Sequence, residues 1–221
     1  MIFLIVLIAD IAIKTKYDIS VYRFLSKISL SVLLLLYYNF CQREKYKIKR
    51  FFMTAALAFF LIGDVFFILY EVELYYIFGI FSFAFGKLFY VFKFSNQSDF
   101  KLKRLLPVIL FCFTLMMVIL YLINGNLNNF FFPTLLYLFI VTLFVIFAFL
   151  RKGLVNEKSY YVVLLGVFLS ILADSLAALS SFYSSKIPYH AIGVMLFYGL
   201  SQLFIVLGVL QENNIKNSEL N

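Results

Sequence analysis

Four ionisable side chains interrupt long apolar runs: Lys27, Asp64, Lys87 and Asp174, with Asp10 a marginal fifth near the end of a shorter run. An ionisable residue at mid-span costs about 2.5–3.5 kcal/mol, so such residues usually face a bundle interior and mark sites. Two carboxylates on facing helices can do acid–base work. Burial favours the neutral form of a carboxyl, and a nearby lysine favours the charged form. A pair in unequal surroundings can hold one acid and one base at neutral pH. Hydrolysis through an oxocarbenium-like intermediate requires that arrangement. No serine-nucleophile elbow is visible. His190 is the only histidine, which excludes a site built on several histidines and argues against a zinc-dependent hydrolase. No cofactor and no metal are expected. Cys41 and Cys112 read as ordinary thiols.

The elements that must position these groups are membrane spans. The chain has 221 residues, 64% hydrophobic and 14% charged, whereas soluble domains are about half apolar and a quarter charged. A span needs about 20 mostly apolar residues. Such runs fall near 1–13, 21–40, 51–70, 74–93, 105–123, 131–150, 159–180 and 188–210, the first of them short. The expected architecture is all-α: one transmembrane domain over 1–221, a helical bundle of about eight spans joined by short loops, because a bilayer demands internally satisfied backbone groups. The net charge of +8 is distributed by loop and is not a nucleic-acid signature. Alternate loops at 41–50, 93–104 and 151–158 are basic, while those between carry Glu71 and Glu73, no charge, or only Lys186. The positive-inside rule puts the basic loops and both termini in the cytoplasm. Lys14, Lys16 and Arg23 dissent. An integral protein of a bacterial inner membrane is expected.

This topology places Lys27, Asp64 and Asp174 each six residues from an outer helix end, roughly 9 Å deep at 1.5 Å per residue. Lys87 lies six residues from an inner end, where its stem can snorkel to the cytoplasmic face. Small and polar residues recur at i+4: Gly166, Ser170, Asp174 and Ala178; His190, Val194, Tyr198 and Gln202; Ser82, Gly86 and Tyr90. Such stripes suit close helix packing. Each residue also has a plain structural role open to it. Asp64 and Lys27 can form a structural ion pair, Asp174 can bond Ser170 or Tyr198, and Tyr90, Tyr137, Tyr198 and Gln202 can be interhelical glue. His190, next to Pro188, reads as an interface residue. An internal echo also exists: Asp64 and Asp174 are 110 apart, as are Lys27 and Tyr137. Helices 2–4 and 6–8 then read as a parallel repeat.

At these residues the chain resembles the YhhN-like family of lysoplasmalogenase-type membrane proteins, over about 21–210. Arg23-Phe24-Leu25-Ser26-Lys27 stands where the family has Thr-Lys-Pro-Leu. Phe60-Leu61-Ile62-Gly63-Asp64 matches its Leu-Gly-Asp. Gly79, Phe85-Gly86-Lys87 and Tyr90 follow, then Pro133 and Tyr137. Ala173-Asp174-Ser175-Leu176-Ala177 is close to its Ser-Asp-Ser-Leu-Ala, and Tyr198 and Gln202 occupy its tyrosine and glutamine. There are two departures: Ile28 replaces a proline, and Lys87 stands at an expected histidine. The resemblance implies hydrolysis of the vinyl-ether bond of lysoplasmalogen, or a related lysolipid, to a fatty aldehyde and a glycerophospho-alcohol. It implies Asp64 and Asp174 as the catalytic acid and base, in either order. Lys27, Lys87, Tyr90, Tyr137, Tyr198 and Gln202 are then the substrate-binding set. The expected partners are a lysophospholipid substrate and membrane lipids, with no protein partner. Two other readings stay open: a small proton-coupled transporter or lipid flippase, since intramembrane Asp and Lys mark such pathways, and a non-catalytic sensor or scaffold.

Overall fold

The computed structural model describes residues 2–16, 21–95, 102–183 and 188–212. The described chain is all-α. Its eight helices are α1 (Ile2–Lys16), α2 (Val21–Cys41), α3 (Lys47–Ile68), α4 (Glu73–Phe94), α5 (Leu102–Ile123), α6 (Phe131–Leu150), α7 (Glu157–Ala178) and α8 (His190–Leu210). Two 3-10 turns join α5 to α6, and a π-helical turn, Leu179–Tyr183, extends α7. The eight apolar runs are thus eight helices, with ends shifted by a few residues. Among the described residues seven, α2 to α8, are long and apolar enough to cross a membrane. The 15 residues of α1 reach only about 22 Å, less than the roughly 30 Å of a hydrocarbon core. Lys101 and Lys186, part of the loop-charge pattern, lie outside the described residues.

Consecutive helices run back and forth, so α3 packs along α4 and α7 along α8 in the two most extensive contacts. The α7–α8 seam is close because two glycines sit in it. A Cβ on Gly166 would lie 2.9 Å from the Ile205 nitrogen and 2.9 Å from the Ser201 carbonyl; one on Gly208 would lie 2.5 Å from Val163. Neighbour relations repeat across the two halves. In each, the second helix packs on the third and the third on the fourth; α4 then lies on α6, and α8 lies on α2. Each half thus lays its last helix against the second helix of the other.

A buried ion network closes the end where the 41–50 and 151–158 turns lie. Lys93 pairs with Glu44 and, at 3.4 Å, with Glu212. Arg151 pairs with Glu212 at 3.4 Å, donates to Ser159 at 3.0 Å and stacks 4.8 Å from the Phe94 ring. The basic residues on this side are therefore partly internal ties between α4, α6, α7 and the end of α8. Burial alone would favour a neutral Glu44, but the hydrogen bond and charge of Lys93 outweigh it and hold the carboxyl below the usual glutamate range.

A depressed native pKa contributes stability above the unfolded pKa and loses it as pH falls through the native one. Glu44→Gln should therefore lower stability in detergent by about 1 kcal/mol near neutral pH. That deficit should shrink in acid, as the pH falls through the lowered native pKa of Glu44. Thermal melts at the two pH values check this; an undiminished deficit in acid contradicts it. Gly166→Val should cost about 1–3 kcal/mol by forcing α7 off α8, and the same melts read it.

Candidate functional site

A cavity of about 720 Å3 runs from the α3–α4 and α7–α8 turns inward between α1, α2, α3, α7 and α8. Asp64, Asp174, Lys27, Tyr198 and Gln202 all line it. Asp64 stands four residues before the end of α3 at Ile68, and Asp174 four residues before Ala178, where α7 passes into the π-helical turn that carries it to Tyr183.

Asp64 is fully buried. Its Oδ2 accepts hydrogen bonds from Ser31 and, at 3.0 Å, from Tyr198. Its Oδ1 faces the Lys27 ammonium at 3.5 Å and is buried without a hydrogen-bond donor among the described residues. The carboxyl therefore faces a cation on one oxygen and is hydrogen-bonded on the other.

Asp174 is held differently. Tyr137 donates to Oδ1 at 2.8 Å, and Lys87 donates to Oδ2 at 2.7 Å. Lys87 also donates to Ser170 and lies 5.3–5.6 Å from the Phe144 and Tyr137 rings. Asp174 thus has a close ammonium on one oxygen and a phenol on the other. Its side chain is 19% exposed, against 1% for Asp64, so a small molecule in the cavity can reach it.

Several placements differ from the sequence expectation. Lys87 does not snorkel to the basic face. It is 1% exposed and turned inward, because Asp174, Ser170 and two aromatic faces offer partners that lipid does not. Asp174 bonds neither Ser170 nor Tyr198. Ser170 is engaged by Lys87, and Tyr198 crosses to Asp64. The Lys27–Asp64 pair forms as the structural reading has it. Lys87, Tyr90 and Tyr137 do not line the cavity and stand behind it. Tyr90 donates to the Gln202 amide oxygen at 2.7 Å. This turns the amide nitrogen of Gln202 away from Tyr90. His190 lines the cavity mouth. Among the described residues no group of three His, Cys, Asp or Glu side chains is placed to hold a metal.

The model of the YhhN family matches residues 22–209. The chain belongs to the YhhN family. Every residue around the two aspartates lies within the YhhN match, which runs from the start of α2 to the last turn of α8; α1 precedes it. No curated protein and no solved structure matches the chain. In this YhhN chain Lys87 supplies the cation for Asp174, as Lys27 does for Asp64.

Sequence reasoning did not single out Ser31. It stands four residues after Lys27, hence on the same helix face, and that spacing is the signal that finds it. Asp10 proves well placed: it is 1% exposed and accepts from Ser26 at 2.6 Å, tying α1 to α2. Lys87→Met should destabilise the fold by about 3 kcal/mol, because it strips the cation from a partly buried carboxylate. Lys87→Met combined with Asp174→Asn should recover much of that loss. Denaturation in detergent compares the two; equal loss in both contradicts the pair.

Proposed function

We propose that this protein is an intramembrane hydrolase of the vinyl-ether bond in lysoplasmalogen or a related lysolipid, with Asp64 as general acid and Asp174 as general base. The observation that carries this is the inequality of two carboxylates that line one cavity. Asp64 has an oxygen without a donor, and Asp174 has both oxygens saturated, one by a cation.

In this reading Asp64, which lines the cavity, gives its carboxyl proton to the distal vinyl carbon. The double-bond electrons form the new C–H bond and leave positive charge shared by the adjacent carbon and the ether oxygen. The Asp64 carboxylate formed then faces Lys27, 3.5 Å away, and both carboxylates stabilise the cation. Asp174 takes a proton from water as the water oxygen bonds to the cationic carbon. The hemiacetal then collapses. Its hydroxyl proton returns to Asp64, the bond to the glycerol oxygen breaks, and Asp174 protonates that oxygen. Water has been added, and both aspartates are as they began. Gln202, with its amide nitrogen directed away from Tyr90, orients the ether oxygen by donating to it. We also place the basic turns and the C-terminus in the cytoplasm of a bacterial inner membrane, by the positive-inside rule. The cavity then opens outward, and the linkage of a lipid just below its headgroup falls at aspartate depth.

One observation favours the transporter reading. The cavity opens at one end while the Lys93, Arg151 and Glu212 network closes the other, as in an outward-facing carrier. Purified wild-type protein should release fatty aldehyde from lysoplasmalogen. Asp64→Asn and Asp174→Asn should each lower the rate by about 100-fold or more, compared below the lowered melting temperature that each stranded lysine causes. Folded wild type that releases no aldehyde, yet moves lysolipid across proteoliposomes, decides for the carrier.

A further inference from the structure

Among the described residues, two lysines line the cavity, Lys14 and Lys27. Lys14 stands at the mouth, its ammonium 5.6 Å from the Tyr70 ring. Lys27 stands deeper, with a side chain only 14% exposed. Its nitrogen faces Asp64 Oδ1 at 3.5 Å, and that oxygen is buried without a hydrogen-bond donor among the described residues. The other Asp64 oxygen is occupied by Ser31 and Tyr198. An amine on the cavity wall thus has beside it one carboxyl oxygen open to take a proton from it and pass the proton on. Below Lys27 the same face of α2 continues as Leu30 and Leu34, which line the cavity with Leu7 of α1 and Met195 of α8. A hydrocarbon chain lying along these residues carries its polar head at Lys27. Lys87 has no such freedom. It is not on the cavity wall, and Asp174, at 2.7 Å, and Ser170 hold it.

We infer that Lys27 is a covalent capture site for long-chain aldehydes, its side-chain nitrogen condensing with the carbonyl carbon to a protonated imine beside Asp64. The inference rests on the hydrolase reading of the cavity, which delivers such an aldehyde there. In that reaction the carbon that becomes the carbonyl is bonded directly to the one that Asp64 protonates. It therefore forms within reach of the amine that faces Asp64. Lysine amines condense with carbonyl compounds when a neighbouring group manages the protons. Here Asp64 hands a proton to the carbonyl oxygen and takes one from the Lys27 ammonium. The nitrogen lone pair bonds to the carbonyl carbon as the π pair of the C=O bond moves to oxygen, leaving a hydroxyl. Asp64 repeats the exchange: a second proton leaves the nitrogen, one reaches the hydroxyl, the C–O bond breaks and its electron pair departs with water. The nitrogen pair then closes the C=N bond. One ammonium and one aldehyde have become one iminium and one water, and Asp64 is as it began. The iminium keeps the positive charge that Lys27 holds against Asp64, so no buried carboxylate is stranded. The apolar wall around the chain slows the reverse hydrolysis. Water adding back to the carbon releases the aldehyde and restores the lysine. The imine is thus a reversible hold on a reactive product.

Supplying the aldehyde directly tests this without turnover. Purified full-length protein in neutral detergent is incubated with hexadecanal and cyanoborohydride, which reduces an imine to a stable hexadecylamine. Peptide mass spectrometry then reads the label on each lysine. Lys27 should carry about tenfold more label than the exposed Lys45, Lys47 and Lys158, because the cavity holds the aldehyde against it. Hexadecylglycerol, which has the same chain and no carbonyl, should protect Lys27 and leave the exposed lysines unchanged. Lys27→Arg keeps a cation facing Asp64 and should remove the dominant label. Asp64→Asn, handled below its lowered melting temperature, has no carboxyl to move protons and should cut the Lys27 label by about tenfold or more. Label spread evenly over the lysines, or as heavy on Lys27 after unfolding in dodecyl sulfate, overturns the inference. Protein that releases aldehyde from lysoplasmalogen yet gains no Lys27 label overturns it too and leaves the hydrolase reading intact. Protein that is labelled at Lys27 but hydrolyses no lysoplasmalogen sinks the hydrolase reading and leaves the capture site standing.

Discussion

A carboxylate inside a bilayer cannot be left to itself, and the bundle is arranged around that constraint. Asp64 on α3 draws Lys27 and Ser31 from α2 and Tyr198 from α8. Asp174 on α7 draws Tyr137 from α6 and Lys87 from α4. The donors come from different helices, so each aspartate ties three helices together. Removing one partner leaves a charge with neither water nor a counter-ion, which costs far more than a lost surface contact. Apolar packing between helices gives no comparable specificity, since lipid tails are as apolar as leucine.

The two clusters are built on one plan with its members exchanged. In each, the aspartate is met by a residue from the preceding helix and by one from the last helix of the opposite half. In the first these are Lys27 and Tyr198; in the second they are Tyr137 and Lys87. Each cluster thus has one cation and one phenol, but their helices of origin are swapped. The exchange follows from α4 lying on α6 and α8 lying on α2. It also makes the sites unequal: the Asp64 cation stands off at 3.5 Å, while the Asp174 cation is a close donor at 2.7 Å. A symmetric pair of carboxylates would share one role; this pair can divide two.

The ends of the bundle divide labour in the same way. At one end Glu44, Lys93, Arg151 and Glu212 neutralise each other in a buried lattice between helices. At the other, Asp10, Lys14, Arg23, Lys27, Glu71 and Glu73 line a cavity. Charges that satisfy one another between helices give rigidity. The close α7–α8 seam, set by Gly166 and Gly208, keeps Asp174 and Tyr198 on adjoining helices at fixed register.

Much of this was legible in the residues. Apolar runs of about 20 residues dictate helices in a bilayer, and the same runs bracket Asp64 and Asp174 closely enough to place both near the same ends. The cost of intramembrane charge singled out Lys27, Lys87 and both aspartates, and their spacing of 110 hinted at the repeat. Which donor serves which acceptor was not legible. Lys87 lies seven residues before the end of α4, and its stem can reach lipid headgroups or a neighbour; only the position of α7 decides between them. Tyr198 reads from its stripe as a partner for Asp174, yet the packing of α8 on α2 carries it to Asp64. The sequence by itself determined which residues are too costly to face lipid, because that is a property of each side chain and its run. Only the tertiary structure decided their pairing and the gathering of both aspartates on one cavity, because those depend on how helices far apart in the chain are rotated and set against one another.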